Sequence, residues 1–134
     1  MSHFTASLFR LNRYLNILSQ TAPYPHARLE ALRIIKQHNP ITLRKLCQMQ
    51  QVSMPTMSKL VDELQNQGLV IRAQSKDDAR QRLIVPTQKG VQQLAVMETE
   101  NNQFWEQKLI NLNATEQQLM VEMLEKINAL IKPE

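Results

Sequence analysis

The segment from Thr42 to Pro86 constrains the fold more than any other, because its caps, breakers and hydrophobic periods follow one another in a single readable order. Thr42 is placed to cap a short helix running to about Met49, its hydroxyl accepting from free amides of the first turn. Gln50, Gln51 and Val52 then form a tight turn, and Ser53 caps a second helix that carries Pro55 in its first turn, where a missing N–H does little harm. Met57, Leu60, Val61 and Leu64 fall at i, i+3, i+4 and i+7, which gives that helix one buried face. Gly68 ends it as a left-handed cap. Leu69 to Arg72 reads as a strand and Leu83 to Val85 as its partner, joined by a polar loop from Ser75 to Gln81. Pro86 is expected to end the second strand, since it has no N–H for a ladder.

Helix, turn, helix and hairpin in that order make a winged helix-turn-helix, in which one helix enters the major groove of DNA and the loop of the hairpin reaches a neighbouring minor groove. Charge agrees with this reading. Residues 40–90 hold eight basic residues (Arg44, Lys45, Lys59, Arg72, Lys76, Arg80, Arg82 and Lys89) against four acidic ones (Asp62, Glu63, Asp77 and Asp78). Residues 91–134 hold three lysines against seven glutamates, a balance that a polyanion repels. On the second helix, the wheel sets Pro55, Thr56, Ser58 and Lys59 opposite the buried face. The expected DNA contacts are Ser53, Pro55, Thr56, Ser58 and Lys59 from this helix, with Arg72, Lys76, Arg80 and Arg82 from the hairpin.

The flanks are helical. Phe4, Leu8, Leu11, Leu15 and Leu18 lay one stripe before the Pro23-Tyr24-Pro25 break, and a second helix from Pro25 to His38 buries Leu32 and Ile35 before Asn39-Pro40 stops it. A long helix starts near Thr87 and reaches Leu109, with its apolar pattern interrupted from Glu98 to Gln103; that stretch is expected to be solvent-bathed or pocket-lining. Asn113 and Glu116 have capping-box spacing ahead of a last helix striped by Met120, Met123, Leu124, Ile127 and Ile131. The first and last stripes are too long for one small core to cover, so they predict a homodimer. The expected class is mainly α with a small β-hairpin wing. It is one domain over residues 1–134, with a core at 25–90 and dimerisation helices at 1–24 and 91–134.

Other functions are excluded or weak. With only two glycines in 134 residues, no glycine-rich phosphate loop can be built. Cys47 is the single cysteine, which removes disulfide frameworks and paired-cysteine zinc sites; a lone helical cysteine of this kind is usually buried and inert. His3, His26 and His38 lack the spacing of a helical metal site, no cofactor is implied, and no nucleophile, base and orienting acid stand together as an enzyme requires. No apolar run approaches the roughly 18 residues of a membrane span, and Arg10 and Arg13 interrupt any signal-peptide core, so a cytoplasmic, nucleoid-associated protein is expected.

Three stretches resemble the MarR family of bacterial transcriptional regulators: Val52 to Val61, Leu64 to Arg72, and Asp78-Ala79-Arg80-Gln81-Arg82-Leu83 continuing to Thr87-Gln88-Lys89-Gly90. Pro86 departs from the leucine usual before that threonine. The resemblance implies an obligate dimer on double-stranded DNA with a palindromic operator. It also implies that Asp78 holds the wing by pairing with arginine, that Arg80 or Arg82 reaches DNA, and that a small aromatic or phenolic effector binds where the dimerisation helices meet the core, near Tyr24 and His26. The function expected is a ligand-responsive repressor. The competing expectation is a winged-helix protein-interaction or architectural DNA-binding module without sequence preference, which equal affinity for all duplexes would reveal.

Overall fold

The computed structural model describes residues 2–132. In chain order the elements are α1 (His3–Ser19), α2 (His26–Gln37), β1 (Ile41–Thr42), α3 (Leu43–Gln50), α4 (Met54–Asn66), β2 (Val70–Gln74), β3 (Arg82–Pro86), α5 (Gln88–Lys108) and α6 (Ala114–Ile131). The class is the one expected, mostly helical with a small antiparallel sheet. Two compact units divide the chain, one up to Asn101 and one from Asn102 onward, with the boundary inside α5.

The first unit is built around α2, α3, α4 and the sheet. Leu32, Ile35, Leu46, Met57, Val61, Leu64, Val70, Ile84 and Leu94 are its largest fully buried side chains. The ends of α3 and the start of α4 have local causes. Thr42 accepts from the Lys45 amide and Ser53 from the Thr56 amide, while Gln51 in the left-handed region (φ 57°) closes α3.

The sheet has three strands in the order β1-β3-β2, one more than the hairpin the sequence shows. The added strand is Ile41–Thr42, opposite Ile84 and Leu83, and two residues are too few to display a period. Pro86 does not end β3 from outside; it occupies the last rung, opposite Val70. The Thr87 amide donates to the Leu69 carbonyl, so the rung before it is a non-hydrogen-bonded pair, where antiparallel geometry asks for no N–H. On the other side β1 reaches only Leu83 and Ile84, and Pro86 meets no acceptor there either.

The Thr-x-x-Gly that opens α5 has a mechanical reason. Thr87 Oγ1 donates to the Gly68 carbonyl at 2.6 Å and accepts from the Gly90 amide at 2.9 Å, pinning the helix start to the end of α4. Along α5 the polar interruption is largely exposed, as expected, and is tied down at two points: Glu98 accepts from Arg33 of α2 at 3.1 Å, and Glu100 accepts from the Tyr24 hydroxyl at 3.0 Å. In the second unit Asn113 and Glu116 form the full capping box, at 2.8 and 3.0 Å, and Phe104 meets Trp105 edge to face. No residue of α1 or α6 is buried.

Candidate nucleic-acid interface

The turn between α3 and α4 delivers the N-terminal end of α4 to the surface. Ser53, Pro55, Thr56 and Lys59 are exposed there and Ser58 is half-buried, while Met57 and Val61 anchor the opposite face. The Ser53 and Thr56 hydroxyls lie 2.8 Å apart, so the cap also orders the first outward side chain that can meet a base.

The wing loop is held by its own polar groups. Ser75 Oγ accepts from the Asp77 and Asp78 amides, the Gln81 amide donates to the Asp78 carbonyl, and Gln74 Nε2 donates to the Ala79 carbonyl. Asp78 Oδ1 accepts from the backbone amide of Arg80 at 2.9 Å; the bond found goes to backbone and not to the guanidinium that the resemblance implies. This arrangement turns the loop at Arg80 and leaves that side chain exposed, with Lys76 and Arg82 exposed beside it.

Between the wing and the starts of α3 and α4 runs an open groove of about 530 Å³, lined in part by Arg44, Ser58, Arg80 and Arg82. Arg44 is a residue that site reasoning missed, although the charge count contained it. Among the described residues, the ion pairs are Arg28 with Glu63, Arg33 with Glu30 and Glu98, and Arg72 with Asp62. None involves Arg44, Lys45, Lys59, Lys76, Arg80 or Arg82, so these six cations keep their charge for an outside partner, while Asp62 and Glu63 are neutralised from within.

Arg72 departs from the expected role. Its side chain is only 19% exposed and its guanidinium is spent on α4, donating to Gln65 Oε1 at 2.7 Å and to the Ser58 carbonyl at 3.3 Å and pairing with the Asp62 carboxylate at 2.7 Å. A strand residue whose side chain points back at the helix cannot serve as a free phosphate contact without surrendering those bonds.

Of the two effector residues expected, the structure places one at a cavity. Tyr24 lines a space of about 260 Å³ together with Arg28, Gln67, Lys89, Gln93 and Met97. Its hydrogen bond to the Glu100 carboxylate, with some burial, holds the phenol pKa above its ordinary value. His26 is exposed at the first position of α2 and does not line this cavity, which α2 reaches through Arg28. Cys47 is buried with Sγ 3.4 Å from Met54 Sδ, and burial pushes its thiol pKa up, away from a reactive thiolate. No helix among the described residues is long and apolar enough to cross a membrane.

The MarR family model matches residues 25–81, the stretch from α2 to the wing loop. An HTH-type transcriptional regulator of Mycobacterium tuberculosis is 23% identical over 97% of this chain and 91% of its own. The crystal structure of MarR superposes with a TM-score of 0.79 at 14% identity, covering 96% of each chain. A structure of Bordetella bronchiseptica BpsR, described as showing the mechanism by which 6-hydroxynicotinic acid regulates its DNA binding, superposes at 0.74 with 20% identity over 96% of this chain and 97% of that one. Family model, relatives and fold converge on the same core: residues 25–81 match the MarR family, the chain is similar to HTH-type transcriptional regulators, and its fold is the winged helix-turn-helix of MarR.

Proposed function

We propose that the protein acts as a homodimeric repressor in the cytoplasm, at the nucleoid, reading a palindromic operator with an affinity that a small aromatic acid alters. One observation carries the DNA-reading part: six uncompensated cations stand at the wing and at the starts of α3 and α4, with the neighbouring acids Asp62 and Glu63 neutralised internally. Phosphates released from their counterions by such a face give steeply salt-dependent binding. Arg80, at the turn of the wing, is the cation assigned to the minor groove. Arg80→Ala is therefore expected to weaken operator binding about tenfold and to lower the salt slope by about one, with the helical circular dichroism unchanged. Wild-type affinity and slope in this variant would remove Arg80 from the interface.

Sequence preference is assigned to Thr56, Ser58 and Lys59, where α4 presents short polar and basic side chains to base edges. Replacing all three with alanine is expected to cost more on the operator than on random duplex, measured by competition at one salt concentration. Equal losses on both would make them positioning contacts only.

The effector part rests on the cavity at Tyr24 and on the regulation of BpsR by 6-hydroxynicotinic acid. Arg28 and Lys89 at its wall suit a carboxylate, and the Tyr24 ring suits an aromatic plane. A ligand there acts by preferring one spacing of the recognition helices over another. Titration of 6-hydroxynicotinic acid and salicylate into the protein–operator complex tests this; release by either supports the assignment, and no shift with both would leave a constitutive regulator.

A further inference from the structure

We propose that Arg72 is a positioning residue for DNA recognition: its guanidinium ties the wing to the recognition helix α4 and thereby sets operator preference without touching DNA. The inference rests on the DNA-reading function proposed above and deepens it. Ser58, Asp62 and Gln65 are spaced four and three residues apart, which stacks their acceptors along one side of α4, and Arg72 reaches all three from β2. The planar fork of a guanidinium suits several acceptors held in a fixed arrangement; an ammonium would serve as a point charge only.

Burial shows which partner is the inner one. Arg72 is 19% exposed and Asp62 59%, so the cation sits between sheet and helix while the carboxylate closes over it from outside. Among the described residues, every side-chain hydrogen bond or ion pair from β2 or β3 to α4 goes through Arg72. On the other flank Arg28 of α2 holds Glu63 at 3.2 Å, so α4 is gripped by one arginine on each side. Apolar packing of Met57, Val61 and Leu64, all fully buried, fixes the depth and the coarse rotation of the helix. Two directional hydrogen bonds and an ion pair from one strand fix what fine rotation remains. Since the wing and α4 must enter adjacent grooves together, a few degrees of rotation decide whether Thr56 and Lys59 meet bases while Arg80 is engaged.

The test compares wild type, Arg72→Lys and the charge-balanced double variant Arg72→Met/Asp62→Asn. The probes are a duplex selected from a random pool by the wild-type protein and a scrambled duplex of equal length, each titrated over a range of salt. In the double variant the expected result is a salt slope equal to wild type, with preference for the selected duplex reduced about tenfold. Arg72→Lys keeps the charge and loses the fork, and is expected to show the same slope with a smaller loss of preference. A slope reduced by about one in the double variant would make Arg72 a phosphate contact and overturn the proposal. Full wild-type behaviour in the double variant would reduce its role to neutralising Asp62, which also overturns it. A merely structural role would lower affinity for both duplexes by the same factor, and urea midpoints would report it. Equal binding of both duplexes by the wild type would overturn the underlying DNA-reading function, and the proposal with it.

Discussion

Leu15→Asp combined with Leu124→Asp is expected to leave a folded monomer at micromolar concentration and to cut operator affinity by about a hundredfold or more. Both side chains are exposed in the single chain, Leu15 at 43% and Leu124 at 43%, and neither belongs to its buried core. They belong to two helices without a buried residue, whose surfaces also expose Phe4 at 65%, Phe9 at 60% and Leu130 at 78%. Under the proposed homodimer this exposed apolar surface is the interface. Carboxylates brought into that seam lose hydration without gaining a partner, at a cost of several kcal/mol. Loss of the second half-site then removes the avidity that links two weak contacts into one tight one. Sedimentation of wild type and variant at equal concentration checks the first step, and operator titration the second. A wild-type chain that sediments as a monomer would contradict the dimer outright.

The second large effect concerns folding. Gly90→Ala is expected to destabilise the protein by at least about 3 kcal/mol, because a Cβ there would stand 2.0 Å from the Leu69 carbonyl oxygen. That oxygen is backbone, already accepting from the Thr87 amide, and cannot swing aside as a side-chain end would. Gly68→Ala is the control. Its φ of +74° strains an alanine by about 1 to 2 kcal/mol, but the nearest atoms are the flexible Lys89 side chain at 3.8 Å. Urea midpoints should therefore rank wild type, Gly68→Ala, Gly90→Ala from most to least stable. Equal midpoints for the two variants would mean that α5 can back away from Leu69.

The order of elements from Thr42 to Pro86 was legible because each boundary is set by local chemistry: the caps at Thr42 and Ser53 and the glycine at 68 act within a few residues of chain. The capping box at Asn113 was legible for the same reason. What escaped depends on contacts distant in sequence. β1 is two residues long and exists only because β3 offers an edge. Pro86 reads as a breaker until the register shows that its rung needs no N–H. Arg72 counts as a surface cation in any composition argument, and only its approach to Asp62 and Gln65 reveals that it faces inward. Arg44 carries the opposite lesson, since its position in a charge count says nothing of the groove that it shares with Arg80 and Arg82. The resemblance grouped His26 with Tyr24, but Tyr24 precedes α2 and reaches the cavity while His26 opens the helix exposed and away from it.

Selection of bound duplexes from a random DNA pool, followed by titration of the enriched sequence against a scrambled one, tests the central claim most directly. Two recognition helices related by a two-fold axis should enrich an inverted repeat whose half-sites are centred about one helical turn apart, roughly 10 base pairs, bound at least about a thousandfold more tightly than the scrambled duplex at physiological salt. Enrichment of no motif, with equal affinity for every duplex and a steep salt slope, would contradict it and make this a DNA-binding module without sequence preference.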